Sequence, residues 1–224
     1  MKIKILIPLY NDWKSLIKLL EKINQQISEI NNNFSVIIVN DGSVEKIPDT
    51  FPNYSKINSI KVLNLKNNIG HARCIAIGLK HIDENDAADY IIPMDSDGED
   101  RPEEIKDLVK KIRKSSDIPV VCERVKRSES IFFKFCYFAH KLITMTFTGN
   151  SIKFGNFTCL PKVVVKKMIK DKATWSSFSG ALTKISKIKV AVPSERGTRY
   201  FGPSKMSFKN LFVHSLSIMA VFKF

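Results

Sequence analysis

Short apolar runs and segments of helical period alternate along the first 123 residues. KIKILIP (Lys2–Pro8) reads as a buried strand, and so do FSVIIVN (Phe34–Asn40), IKVLNL (Ile60–Leu65), YIIPM (Tyr90–Met94) and IPVVCE (Ile118–Glu123). Between them the spacing is helical. Trp13, Leu16, Ile17, Leu20 and Ile23 share one face behind Asp12, which is placed to cap that helix. A second helix is predicted from His71 to Ile82, and a third opens at Pro102 with Glu103 and Glu104 in its first turn. This alternation predicts an α/β fold, a doubly wound and mostly parallel sheet whose ligands gather at the carboxyl ends of the strands.

After Glu123 the rhythm changes. A Phe-rich helical stretch runs from Ser130 to Phe147, then a strand at Phe154–Leu160 and a helix at Lys162–Ile169. Trp175–Ile185 fits no single period, Ile188–Val192 reads as a strand, and a loop rich in Gly, Pro and Arg spans Pro193–Lys205. With no linker or repeat in 224 residues, one domain is expected. Its core would be residues 1–206, with residues 1–123 binding nucleotide and metal and residues 124–206 forming a basic acceptor half. Residues 207–224 form a C-terminal amphipathic helix.

Composition sharpens that division. Residues 1–123 hold 17 Lys+Arg against 19 Asp+Glu, whereas residues 124–224 hold 19 against three (Glu129, Asp171, Glu195). A net charge of +14 is therefore concentrated in the second half, which points to an anionic partner (nucleic acid, an anionic membrane surface or a phosphorylated substrate) against the alternative of a solvated basic face with none. The terminal FKNLFVHSLSIMAVFKF suits an interfacial helix lying on a membrane, a core helix, or the stub of a longer segment. No apolar run is long enough to span a bilayer. Cys74, Cys122, Cys136 and Cys159 form no C-x-x-C pair and read as buried reduced thiols, and the N-terminus has no signal-peptide pattern, so a cytoplasmic setting is expected.

The strongest local signal is MDSDGEDRPEEI (Met94–Ile105), where an apolar strand delivers Asp95 and Asp97 into a loop. Hard divalent cations such as Mg²⁺ or Mn²⁺ take one or two carboxylates plus substrate phosphate oxygens. An EF-hand is excluded, because Ile105 stands near the place where a closing Glu is required. PLYND (Pro8–Asp12), NDGS (Asn40–Ser43) and NIGHAR (Asn68–Arg73) each follow a predicted strand and would face the same side as Asp95. There Tyr10 can stack on a base, Asp41 can accept from base or ribose, and Arg73 can meet phosphate or base. The absence of G-x-G-x-x-G and of a P-loop removes support for NAD and ATP-motor chemistry.

IPLYND, NDGS, N-x-G-x-x-R and D-S-D in this order resemble the family 2 glycosyltransferases of GT-A fold, across essentially the whole chain. DSDGEDRPEEI and ERGTRYFGPSKMSFKNL (Glu195–Leu211) are similar to segments of the dolichyl-phosphate mannose synthase and polyprenyl-phosphate glycosyltransferase branch. The resemblance implies an inverting, metal-dependent transferase with a UDP- or GDP-linked sugar donor. It implies metal binding and catalysis at Asp95 and Asp97 and nucleotide contacts at Pro8, Tyr10, Asp12, Asp41 and Asp95. Phosphate contacts are implied from Arg124, Arg199 and Lys205, the last two counted with the catalytic set. One departure stands out: Gly155-Asn156-Phe157-Thr158 replaces G-D-F-R, so an amide stands where the branch carries an acid.

An alcohol acceptor needs a general base, and between Glu129 and Glu195 the only acid is Asp171. A phosphate acceptor is already an anion and needs cations instead, for which Arg124, Arg127, Arg196, Arg199 and Lys205 are candidates, with Asn156 orienting it. The leading expectation is transfer to a polyprenyl phosphate by a protein peripheral on the inner face of the membrane. Transfer to a sugar hydroxyl is the second reading. A non-catalytic nucleotide- or nucleic-acid-binding protein is the third, disfavoured because the Phe residues follow helical spacing rather than interleaving with the basic ones. No nucleic-acid partner is expected.

Overall fold

The computed structural model describes residues 1–126, 152–202, 216 and 220–222. Seven strands form one sheet: β1 (Lys2–Leu9), β2 (Asn33–Asn40), β3 (Ile57–Asn64), β4 (Tyr90–Pro93), β5 (Val120–Lys126), β6 (Phe154–Pro161) and β7 (Val190–Glu195). Their order is β3-β2-β1-β4-β6-β5-β7. Neighbours β3, β2, β1 and β4 are parallel, β7 is parallel to β5, and β6 runs antiparallel to both β4 and β5. The sheet is thus mostly parallel, as expected. The insertion of β6 between β4 and β5, pointing the other way, was not legible in the apolar pattern.

Alternation along the strands sends side chains to two cores. Ile3, Ile5, Ile7 and Leu9 of β1 face α1 (Trp13–Gln26) and α3 (Ile105–Ser115), where Leu16, Leu20, Ile23, Leu108 and Ile112 are buried. On the other face Leu6, Ile37, Val39 and Ile91 meet α2 (His71–Asn85), α4 (Lys162–Met168) and α5 (Phe178–Ile185). Both faces of the sheet are covered, which is why its central strands read as continuous apolar runs. Cys74, Cys122 and Cys159 are buried free thiols.

Local rules settle the segment that fitted no single period. A 3₁₀ turn occupies Lys172–Trp175, and α5 begins after Ser177, whose hydroxyl accepts from the Gly180 N–H. Asp171 accepts from the Ala173 N–H at 2.9 Å and pairs with Lys184 at 3.2 Å. These bonds, the backbone one first, hold its carboxyl below the usual Asp value. A lowered value contributes stability that is present above the unfolded-state value and lost as pH falls through the folded one. Asp171→Ala is expected to cost about 1 kcal/mol in chemical denaturation at neutral pH, with transfer unchanged.

Asp12 differs from expectation. It sits at the N-cap of α1 but its side chain makes no cap hydrogen bond, because the carboxylate turns to Arg199 instead. Of the C-terminal segment, residues 216 and 220–222 are described. Val221 is buried in the second core, within van der Waals reach of a Cβ at Gly180, and Phe222 packs partly against that core. Leu216 and Ala220 are exposed. Among the described residues of this segment, Phe222 is thus turned to the protein and Leu216 outward. The Ser130–Phe147 helix, Cys136, Arg127, Lys205 and the rest of the terminal helix lie outside the described residues. Among the described residues no helix is long and apolar enough to cross a membrane.

Candidate active site

The chain leaves β1 for β2 and β3 on one side and returns to β4 on the other, which makes the β1/β4 boundary a switch point. At such a point neighbouring loops turn to opposite faces and leave a crevice at the carboxyl ends. The loops after β1, β2, β3, β4 and β7 all open there. Because β6 is inverted, its beginning, Gly155-Asn156, comes to the same edge.

The loops are fastened to one another. Asn11, at φ +49, accepts through its side-chain oxygen from the Val44 N–H at 2.9 Å, tying the β1 loop to the β2 loop. Asp41 is buried and accepts from the Ile69 N–H at 2.7 Å and the Gly70 N–H at 3.0 Å. Both its oxygens serve to hold the start of α2, though a carboxylate retains further lone pairs for a ligand. The Cys74 thiol beneath is pushed up, by burial first and then by Asp41. Tyr10 is 43% exposed at the end of β1, and Arg73 is exposed on the first turn of α2. Pro8 is buried within β1, opposite Val39.

Acidic groups crowd the loop after β4. Asp97 is mostly buried, accepts from the Glu99 N–H at 2.9 Å and pairs with Arg199, which also lies 3.4 Å from Asp12. Burial raises the Asp97 carboxyl, with Asp95 and Glu99 adding to the rise and the Glu99 N–H and Arg199 opposing it. Asp100 accepts from the Asp95 N–H at 2.8 Å and has Arg124 at 4.0 Å. Its carboxyl is raised well above normal, chiefly by burial and next by Asp95. Glu104 reaches across to accept from Ser194 Oγ at 2.7 Å and the Glu195 N–H at 3.0 Å, fixing the end of β7. Arg196 pairs with Glu99, and its side chain is 44% exposed.

Asp95 is the meeting point of the two halves. Asn156 Nδ2 lies 3.4 Å from its Oδ1 and 2.6 Å from His71 Nε2, and His71 Nε2 lies 3.3 Å from the same Oδ1. Arg124 stands beside Gly155. His71 was missed by sequence reasoning, which searched for a base only in the second half. Its place at the first position of α2, directly after the Gly70 N-cap, was the available signal.

Asp95 and Asp97 offer oxygen donors suited to a hard divalent cation. No group of three or more His, Cys, Asp or Glu gathers into a metal cage among the described residues. Two carboxylates suit a cation whose remaining places are taken by phosphate oxygens.

Residues 4–163 match glycosyl transferase family 2. The chain belongs to that family. This family 2 glycosyltransferase is 24% identical over 222 residues to the uncharacterized glycosyltransferase YkcC of Bacillus subtilis, covering 97% of this chain and 67% of that protein. It is 26% identical over 216 residues to the undecaprenyl-phosphate 4-deoxy-4-formamido-L-arabinose transferase of Salmonella choleraesuis, covering 94% and 64%. The chain thus spans about two thirds of the length of these relatives. Among solved structures it is similar to the Mycobacterium tuberculosis glucosyl-3-phosphoglycerate synthase in complex with Mn²⁺, UDP-glucose and phosphoglyceric acid. The TM-score is 0.65 at 12% identity, over 98% of this chain and 78% of that one. The fold is GT-A.

Proposed function

We propose that this glycosyltransferase moves a sugar from a UDP- or GDP-linked donor to a polyprenyl phosphate at a membrane surface, with inversion at the anomeric carbon. The carrying observation is the chemistry opposite Asp95: an amide, Asn156, with Arg124 beside it, while Asp171 is committed to a cap elsewhere. A phosphate oxygen of the acceptor attacks the anomeric carbon as the bond to the nucleoside diphosphate breaks, and no proton need be removed. The polyprenyl-phosphate relative at 26% identity and the basic second half support the same acceptor.

In this reading Tyr10, Asp12, Asp41, Arg73 and Asp95, over buried Pro8, hold the nucleotide. Asp95 and Asp97 hold Mg²⁺ or Mn²⁺, which when bound neutralises the leaving diphosphate. Arg199 and Lys205 complete the catalytic set by adding positive charge, and Arg124, Arg127, Arg196 and Asn156 receive the acceptor phosphate. Residues 1–123 act as the donor half, residues 124–206 as the acceptor half, and residues 207–224 as the interfacial segment on the inner face of the membrane.

A second reading, transfer to a hydroxyl, gains from one observation: His71 sets a nitrogen base beside Asn156 and Asp95. The experiment supplies UDP- and GDP-sugars with Mn²⁺ and either a short polyprenyl phosphate or the matching polyprenol. Product from the phosphate alone is expected. Product from the alcohol but not the phosphate overturns the first reading in favour of the second.

A further inference from the structure

The loop after β7 folds back over the acidic loop after β4. The Gly197 N–H donates to the Glu99 carbonyl and the Tyr200 N–H to the Asp97 carbonyl, each at 2.9 Å. The two backbones touch: a Cβ on Gly197 would stand 2.4 Å from the Gly98 carbonyl oxygen, and one on Gly98 2.7 Å from the Tyr200 ring. Arg196–Glu99 and Arg101–Glu195 pairs flank the contact. At its centre the Arg199 guanidinium grips Asp97 and approaches Asp12, with 17% of its side chain exposed. Its Nε is buried with no hydrogen-bond partner among the described residues.

Two physical facts give this arrangement a consequence. Asp97 is largely shielded from solvent beside Asp95 and Asp100, so it needs a counter-charge, and Arg199 supplies one. A divalent cation drawn to the same carboxylate competes with that guanidinium by charge repulsion, at the cost of the ion pair. The displaced group carries a planar fork of donors, one of them without a partner among the described residues, and a diphosphate is the ligand that such a fork fits.

We propose that Arg199 is a resident counter-ion for the cation site. It holds Asp97 so that the divalent cation binds weakly by itself, and it moves onto the donor diphosphate when cation and donor arrive together. Cation and nucleotide are then coupled: each tightens the other by the same factor, because both draw on the release of one side chain. The inference rests on the reading of Asp95 and Asp97 as cation ligands.

The test is Mn²⁺ titration followed by electron paramagnetic resonance, with no nucleotide, with UDP and with GDP. The wild type, Arg199→Gln, Gly197→Ala and Asp97→Asn proteins are compared, with thermal melts to confirm folding. Arg199→Gln is expected to bind Mn²⁺ alone about tenfold more tightly and to lose most of the tightening by nucleotide. Gly197→Ala lifts the loop without changing any charge, so it should shift Mn²⁺ affinity the same way, and it decides the matter if Arg199→Gln does not fold. If Mn²⁺ binds both variants no more tightly than wild type while Asp97→Asn abolishes binding, the counter-ion role is overturned and the cation reading stands. If no protein binds Mn²⁺ even with nucleotide, or Asp97→Asn binds as wild type, the cation reading itself falls.

Discussion

Asp97→Asn is expected to lower transfer by about a thousandfold while the protein stays folded. The amide keeps the shape and can still accept from the Glu99 N–H, but it gives up the charge that a divalent cation needs. The choice of Asn follows from the structure. A surface-loop carboxylate would have tolerated Ala at a cost within roughly 0.5 kcal/mol. Asp97 is instead mostly buried against Arg199, so Ala would orphan part of a guanidinium and cost about 3 kcal/mol. Burial raises the Asp97 carboxyl despite Arg199. A raised value contributes stability that is present below the unfolded-state value and lost as pH rises through the folded one. At neutral pH the ionised carboxylate therefore carries a desolvation cost that Asn avoids, which offsets part of the lost Arg199 pair. Asp97→Asn should melt closer to wild type than Asp97→Ala, with its difference from wild type shrinking toward acid. Near-normal transfer by this variant, or transfer that survives excess chelator, would remove the metal from the mechanism.

Gly42→Val is expected to produce the largest loss of stability, about 4 kcal/mol, read as a melting temperature lower by roughly 10 °C or more. Gly42 has φ +65, where a side chain is strained, and its Cβ would lie 2.5 Å from the Asn67 carbonyl carbon and 2.7 Å from the Asn68 nitrogen. Those atoms are backbone and cannot swing away. The displaced loop would take Ile69 and Gly70 off Asp41, breaking two charge-assisted hydrogen bonds. It would also re-aim the first turn of α2, which carries His71 and Arg73. Gly155→Ala is the control, since its Cβ meets only the Arg124 guanidinium at 3.8 Å and should leave the melt unchanged.

The order of strands and helices in the first half was legible because each element announces itself locally. A run such as VIIV is apolar over its whole length only when both faces of a sheet are covered, and Leu16, Leu20 and Ile23 recur at the period of a helix. Parallel topology then placed Tyr10, Asp41, Arg73 and Asp95 at one edge without any knowledge of contacts. The Asp171 cap is equally local, since its partner Ala173 is two residues away, although sequence reasoning did not assign it.

Direction and partnership were decided by the tertiary structure. An apolar strand looks the same whether it runs up or down, so nothing in FGNFTCLP showed that β6 enters inverted between β4 and β5. That inversion carries Asn156 to Asp95 across 61 residues of chain. Asp12 had the sequence context of a helix cap, yet its carboxylate faces Arg199, 187 residues away, because a nearby guanidinium is a stronger partner than a backbone N–H. His71 had no local signal beyond its Gly neighbour, and its chemistry exists only where α2, β4 and β6 meet. Residue types and local periods determined which chemistry this chain can hold and at which end of the sheet. Long-range packing, which no local pattern encodes, decided which of those groups touch.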